Sequence, residues 1–175
     1  MLFIDSSAPE FSTEAVFDSG EIKKVSLSDY KGKWVVLFFY PLDFTFVCPT
    51  EITQFREHLQ EFKDSSAILL GCSIDSVHSH KRWLRDDLGN LGFGLLSDLT
   101  HSISRNYGVL NEAEGIATRG TFIISPEQKI QYISIHNFDV GRNAKEILRV
   151  LNACQSGELC QAGWKKGDHH LKPVK

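Results

Sequence analysis

The sequence predicts an α/β sandwich built on a central mixed β-sheet, and three observations predict it. Two continuous apolar runs, residues 34–40 and 67–74, have strand length and the aromatic or branched content of strands buried on both faces. Each run leads into a segment with helical periodicity. A hairpin and one further helix close the chain, so strands and helices alternate early and pair antiparallel late.

In chain order, residues 1–12 are a lead-in and residues 21–27 read as an edge strand or hairpin arm. Ser28-Asp29-Tyr30-Lys31-Gly32-Lys33 turns the chain into the first apolar run. Pro41 ends that run. Beyond Pro49, a residue favoured in the first turn of a helix, Ile52, Phe55, Leu59 and Phe62 form one apolar stripe. Asp64-Ser65-Ser66 breaks the pattern before the second apolar run. Asp75-Ser76 then offers an N-cap to a helix through about Leu88, with Trp83 on it as a core or interface residue.

Residues 89–94 read as a loop, 95–96 as a brief strand, and 97–107 as a helical piece stopped by Gly108. Residues 111–117 have no clear period and read as loop. Residues 120–125 and 129–135 are the hairpin strands, joined by Pro126-Glu127-Gln128. Asn143-Ala144-Lys145-Glu146 has the shape of a capping box ahead of a helix carrying Ile147, Leu148, Val150, Leu151 and Cys154. From Gln155 the chain turns polar and glycine-bearing and ends in a basic tail, Lys165 to Lys175, expected to be mobile without a partner. The whole chain, 1–175, reads as one domain, with 155–175 as its C-terminal tail.

Composition excludes several function classes. A chain of 175 residues with 42% hydrophobic content can build one proper core. The net charge of −3 argues against a surface built for nucleic acid or anionic membranes. No run approaches the roughly eighteen apolar residues of a membrane span. Met1-Leu2-Phe3-Ile4 meets Asp5 at once, unlike a secretory signal, so the expected location is cytoplasmic. In that compartment four cysteines are catalytic, redox-active or buried rather than a structural framework. His78, His80, His101, His136 and His169-His170 make no zinc pattern and read as surface histidines; no metal site is expected. Without a nucleotide, flavin or haem signature no cofactor is expected either.

The chemistry concentrates at Cys48, where a loop turns into a helix. Free backbone N–H groups and the positive end of the helix dipole stabilise an anion there. A thiolate is such an anion, and a cysteine so placed is often reactive, although a buried free cysteine is as often inert. Thr45, three residues earlier, is within reach of the sulfur; taken alone it is an ordinary loop threonine bonding its own backbone. Pro41 terminates the strand. Arg119 enters the predicted hairpin, and Glu51 lies one turn into the helix, where an acid is favoured in any case. Of the other cysteines, Cys72 lies in a buried strand, Cys154 on an apolar helix stripe, and Cys160 in a polar segment.

The string Phe38-Phe39-Tyr40-Pro41-Leu42-Asp43-Phe44-Thr45-Phe46-Val47-Cys48-Pro49-Thr50-Glu51-Ile52 resembles, nearly letter for letter, the active-site segment of the peroxiredoxins. The likeness is strongest to the typical two-cysteine branch, the alkyl hydroperoxide reductase C and thioredoxin peroxidase group. It extends over about residues 8–168 and implies a thioredoxin-like fold with an N-terminal extension. It implies that Cys48 attacks a peroxide, that Arg119 stands beside the thiolate, that Thr45 bridges sulfur and peroxide oxygen, that Pro41 shields the site, and that Glu51 orients the arginine. Gly157-Glu158-Leu159-Cys160-Gln161-Ala162-Gly163-Trp164 resembles the family's resolving motif, departing at Leu159 and Gln161.

The resemblance therefore implies that Cys160 resolves the sulfenic acid of Cys48 on a neighbouring subunit, within a homodimer that assembles into a decamer. The substrates it implies are hydrogen peroxide and alkyl hydroperoxides. The electron donors are thioredoxin or a dedicated flavoprotein disulfide reductase. Gly89-Asn90-Leu91-Gly92 matches only in part the loop of oxidation-sensitive members, and the chain ends without their Tyr-Phe, so resistance of Cys48 to over-oxidation is expected. Rival readings are a peroxidase with an idle Cys160, a holdase chaperone, disulfide exchange between Cys154 and Cys160, and a thiol–disulfide oxidoreductase. The last lacks a second cysteine near Cys48.

Overall fold

The computed structural model describes residues 2–173. Its centre is a seven-stranded mixed sheet. The strands are β1 (Ser12–Val16), β2 (Ile22–Ser26), β3 (Trp34–Phe39), β4 (Ala67–Ser73), β5 (Gly94–Ser97), β8 (Arg119–Ile124) and β9 (Ile130–His136), in spatial order β2-β1-β5-β4-β3-β8-β9. β3, β4 and β5 run parallel, and the strands outside them pair antiparallel.

β3 takes its apolar run because both faces are covered. Val36, Phe38 and Tyr40 face one buried cluster, which includes Ile52, Phe55, Phe62, Trp83, Ile147, Leu148 and Leu151. Val35, Leu37 and Phe39 face a second, with Phe11, Leu27, Ile103, Tyr107 and Val109. The period-2 alternation of a strand distributes one hydrophobic string between two cores. Phe38 stacks on Phe55 with ring centroids 4.3 Å apart, joining sheet to helix.

The helices are α1 (Cys48–Glu57), α2 (Leu59–Asp64), α3 (Val77–Trp83), α4 (Ser102–Asn106) and α5 (Ala144–Ser156). The stripe that predicts one helix is divided between α1 and α2, because His58 departs from helical geometry. Ile52, Phe55 and Phe62 are nonetheless buried and Leu59 packs against them. Ser76 caps α3 through Ser79 N, and the helix continues to Leu88 as a wider π turn. Asp98 does not start a helix directly; its carboxylate accepts from Ile103 N and Ser104 N and so receives the start of α4. Asn143 caps α5 from Lys145 N and Glu146 N, whereas Glu146 turns outward to Arg149 instead of completing the box.

β1, which the sequence pattern left unassigned beyond Ser12, joins β2 and β5 inside the sheet; only its last two residues are fully buried, so its pattern is weak. Two expectations are corrected. Residues 111–117 are not plain loop, since β6 (Leu110–Asn111) and β7 (Ile116–Ala117) form a small hairpin. The described part of the tail, through residue 173, is docked rather than free. Trp164 is buried, its carbonyl accepts from Arg149 Nη1 at 2.9 Å, its indole donates to Asp168 O, and Leu171 N donates to Leu159 O. No helix among the described residues is long and apolar enough to cross a membrane.

Candidate active site

The site lies at the C-terminal end of β3. Tyr40 N still bonds to Cys72 O, then Pro41 turns the chain out of the sheet, and the loop returns at Val47 to start α1. Cys48 is the first helical residue, one position earlier than the sequence suggests, with Pro49 behind it. Its side chain is fully buried.

Glu51 follows three residues later, on the same face of α1. Antiparallel pairing of β8 with β3, with Thr121 opposite Phe38, carries Arg119 just beyond the end of β3 and over the start of α1. Arg119 Nη1 donates to Cys48 Sγ at 3.4 Å and to Glu51 Oε2 at 2.6 Å, while its Nε donates to Phe138 O at 2.7 Å. The guanidinium is held on two sides before it touches sulfur.

Arg142, which sequence reasoning missed, completes the arrangement. Its Nε and backbone N donate to Glu51 Oε1 at 2.7 and 2.8 Å, and its Nη2 donates to Glu51 Oε2 at 2.9 Å. Its Nη1 donates to the carbonyls of Phe39 and Gly120. One carboxylate is thus shared by two buried guanidiniums that also tie β3, β8 and the entry of α5 together. Burial pushes the Glu51 carboxyl upward, but the hydrogen bonds and charge of Arg142, with Arg119 adding, outweigh it and hold the group below the usual carboxylate range. Only one signal could have pointed to Arg142: a cation directly before the Asn143 cap, at no periodic position.

Thr45 is half-buried in the loop, and its hydroxyl donates to Leu42 O at 3.0 Å. Pro41 is buried at the base of the same loop. Phe44 and Phe46 on that loop are exposed. Asp43 anchors the loop from below. Its carboxylate accepts from Tyr40 OH at 2.9 Å and Ser79 Oγ at 2.7 Å and meets His80 Nδ1 at 2.8 Å. His80 is therefore a correction: it is fully buried, with Nε2 directed at Leu96 O, and is no surface histidine. Helical spacing from Ser76 places it inward, a signal that was readable but outweighed by its polar neighbours. Trp83 is buried between Tyr40 and Phe44.

All four cysteines are free thiols. Cys72 is buried in β4, where desolvation first and the Asp98 charge second push its thiol well up. Cys160 is half-buried against the end of α5, with Sγ 3.4 Å from Ser156 Oγ. Ala144 N, at the start of α5, bonds to Gln54 Oε1 near the site, whereas Gln155 at its other end bonds to Ser65 O at the start of β4. About 18 Å of helix separates these ends at the usual rise per residue. Within one chain, Cys160 and Cys48 lie at opposite poles.

A buried thiol at a helix N-terminus, touched by a clamped guanidinium, on a mixed sheet covered on both faces, defines a cysteine-based redox enzyme. The model of the AhpC/TSA family matches residues 4–133. A peroxiredoxin of Caenorhabditis elegans, prdx-2, is 52% identical over 98% of this chain and 89% of its own length. A thioredoxin peroxidase of Trypanosoma brucei rhodesiense is 47% identical over 97% and 89%. Among solved structures, the reduced 2-Cys peroxiredoxin of Plasmodium vivax superposes with a TM-score of 0.95 at 38% identity, covering 99% of this chain and 95% of that one. AhpC of Mycobacterium tuberculosis gives 0.86 at 42% identity, covering 94% and 99%. The chain belongs to the AhpC/TSA family. It is a typical two-cysteine peroxiredoxin with the thioredoxin-like fold of that family, and hence a thiol peroxidase.

Proposed function

We propose that Cys48 is the peroxidatic residue and that Cys160 of the partner subunit resolves it. The observation that carries the first half is the Arg119 guanidinium donating at once to Cys48 Sγ and to Glu51. A peroxide O–O bond breaks as a thiolate attacks one oxygen and the other departs with growing negative charge. Arg119 presents fixed donors to that charge and Glu51 fixes Arg119, so the donors need no reorganisation. The Thr45 hydroxyl rotates from Leu42 O toward the bound oxygens, and Pro41 keeps water off them. The sulfur gains one oxygen as sulfenic acid; the other, with a proton, leaves as water or alcohol.

Cys160 of the partner subunit then attacks the sulfenic sulfur, a disulfide forms and water leaves. Two features support an intersubunit route. Cys160 is held at the far pole of its own chain, and β9 is a sheet edge with Ile135 exposed, an edge that a second copy can extend by a two-fold axis. Cys48 must leave its burial for this step. The start of α1 has no side-chain cap, so Cys48 at its first position can swing out while the Glu51 bonds to Arg119 and Arg142 hold the rest of the turn.

Further assembly of dimers into a decamer accounts for the exposed Phe44 and Phe46 beside the site. Thioredoxin or a flavoprotein disulfide reductase returns the disulfide to two thiols. The preferred substrates are hydrogen peroxide and alkyl hydroperoxides. The proposed compartment is the cytoplasm; fractionation tests it, since a similar protein of Arabidopsis thaliana is named as chloroplastic.

Peroxide consumption coupled to thioredoxin and its reductase tests the assignment. Wild type cycles, Cys48→Ser does not, and Cys160→Ser performs one turnover without forming a covalent dimer. Peroxidase activity persisting in Cys48→Ser would overturn it.

A further inference from the structure

Cys154, on the last turns of α5 at the pole far from the site, has no role in the cycle just described. α5 ends at Ser156, and Gly157 takes the left-handed conformation (φ 65°) that reverses the chain and lays Cys160 back along the last turn. There Cys160 Sγ is 4.0 Å from Ala153 O and 3.4 Å from Ser156 Oγ. The Ala153 carbonyl is bonded directly to Cys154 N. By standard peptide geometry its oxygen is about 2.8 Å from the Cys154 Cα, so the Cys160 sulfur is within about 7 Å of that Cα. A disulfide needs Cα atoms about 4.4–6.8 Å apart, which a shift of a few ångströms in the turn supplies. Both side chains are half-buried, so neither is sealed in the core.

We propose that Cys154 is a second resolving thiol, which takes the disulfide from Cys160 and releases Cys48 of the partner subunit before any reductant acts. This rests on the Cys48–Cys160 disulfide proposed above. The Cys154 thiol gives its proton to solvent and its sulfur attacks Cys160 Sγ. The bond from Cys160 to Cys48 of the partner subunit breaks, and Cys48 departs as a thiolate. A Cys154–Cys160 disulfide remains within one chain. One disulfide is exchanged for another, so no oxidant beyond the peroxide already consumed is needed.

Reach is kept throughout the cycle. When Cys160 swings out to Cys48 of the partner subunit, only the segment from Gln155 to Leu159 separates it from Cys154, and departure of the tail uncovers the end of α5. Burial and the neighbouring Cys160 push the Cys154 thiol above its ordinary range while the tail is docked. The exchange is accordingly slow compared with peroxide attack, and the covalent dimer is a transient that converts to an oxidised monomer chain.

The test uses the full chain, reduced and then freed of reductant, as wild type and Cys154→Ser. One equivalent of hydrogen peroxide is added, and samples are quenched with an alkylating agent over time. On non-reducing gels the wild-type dimer band rises and then decays, while the Cys154→Ser band persists. Mass spectrometry of tryptic fragment 150–165, which carries both cysteines, finds it unalkylated and lighter by two hydrogens as the band decays. Without reductant, wild type consumes about two equivalents of peroxide per chain and Cys154→Ser about one. Equal persistence of the two dimer bands, with no such fragment, would overturn the relay. Absence of a dimer band from Cys154→Ser would instead overturn the Cys48–Cys160 reading, and the relay with it.

Discussion

Replacing Glu51 by Gln tests the clamp that holds Arg119. The carboxylate accepts four hydrogen bonds: Arg142 N and Nε at Oε1, and Arg119 Nη1 and Arg142 Nη2 at Oε2. A carboxamide of the same shape keeps one accepting oxygen and turns an NH2 group toward guanidinium donors. It also leaves two buried cations, Arg119 and Arg142, without their counter-charge. Breaking a buried pair in this way costs about 3–5 kcal/mol. In a domain of this size each kcal/mol lowers the melting midpoint by about 2–4 °C, so a loss of about 6–20 °C is expected.

Scanning calorimetry at fixed protein concentration measures it. The pH dependence supplies an independent check. The folded Glu51 pKa lies below the unfolded value of about 4.3, so its stabilisation is fully present above that value and is lost as pH falls through the folded pKa. Stability of the wild type should therefore drop more steeply with acid below about pH 4 than that of Glu51→Gln. A midpoint within about 2 °C of wild type, with parallel acid limbs, would refute the claim that this carboxylate carries the two arginines.

Three other predictions follow from separate parts of the molecule. Arg119→Lys replaces a fixed fork by a single flexible ammonium, and kcat/KM for hydrogen peroxide should fall about 10–100-fold in a steady-state assay, with the far-UV spectrum unchanged. Gly71→Ala puts a Cβ 2.8 Å from Leu95 Cδ2 and 2.9 Å from Phe38 Cζ at the middle of the sheet. Overpacking of this kind costs about 1–3 kcal/mol, read as a drop in denaturant midpoint. Trp164→Ala removes the buried anchor of the tail, its bond to Asp168 O and its stack on His170 at 5.1 Å. Alkylation of Cys160 should then quicken at least about fivefold, while thermal stability changes little, because the tail opens independently of the sheet.

The chain by itself determined the elements whose information is local. An apolar run such as 34–40 specifies a strand covered on both faces, because water must be excluded from both sides of it. The junction of Pro41, Cys48 and Pro49 specifies a thiol at a helix start, because proline ends one element and enters the next. The motif around Cys160 was legible only as a resemblance to the family, not from local patterning. Tertiary structure alone decided which charges meet. Glu51 and Arg142 are 91 positions apart, and Asp43 and His80 are 37 apart. No periodicity spans such gaps, since hydrophobic patterning says which side of an element is buried but not which polar side chains share that burial. β1, half exposed and weakly patterned, and the tail, held by one tryptophan, were hidden for a related reason: their order comes from the partners they dock on, not from residues of their own.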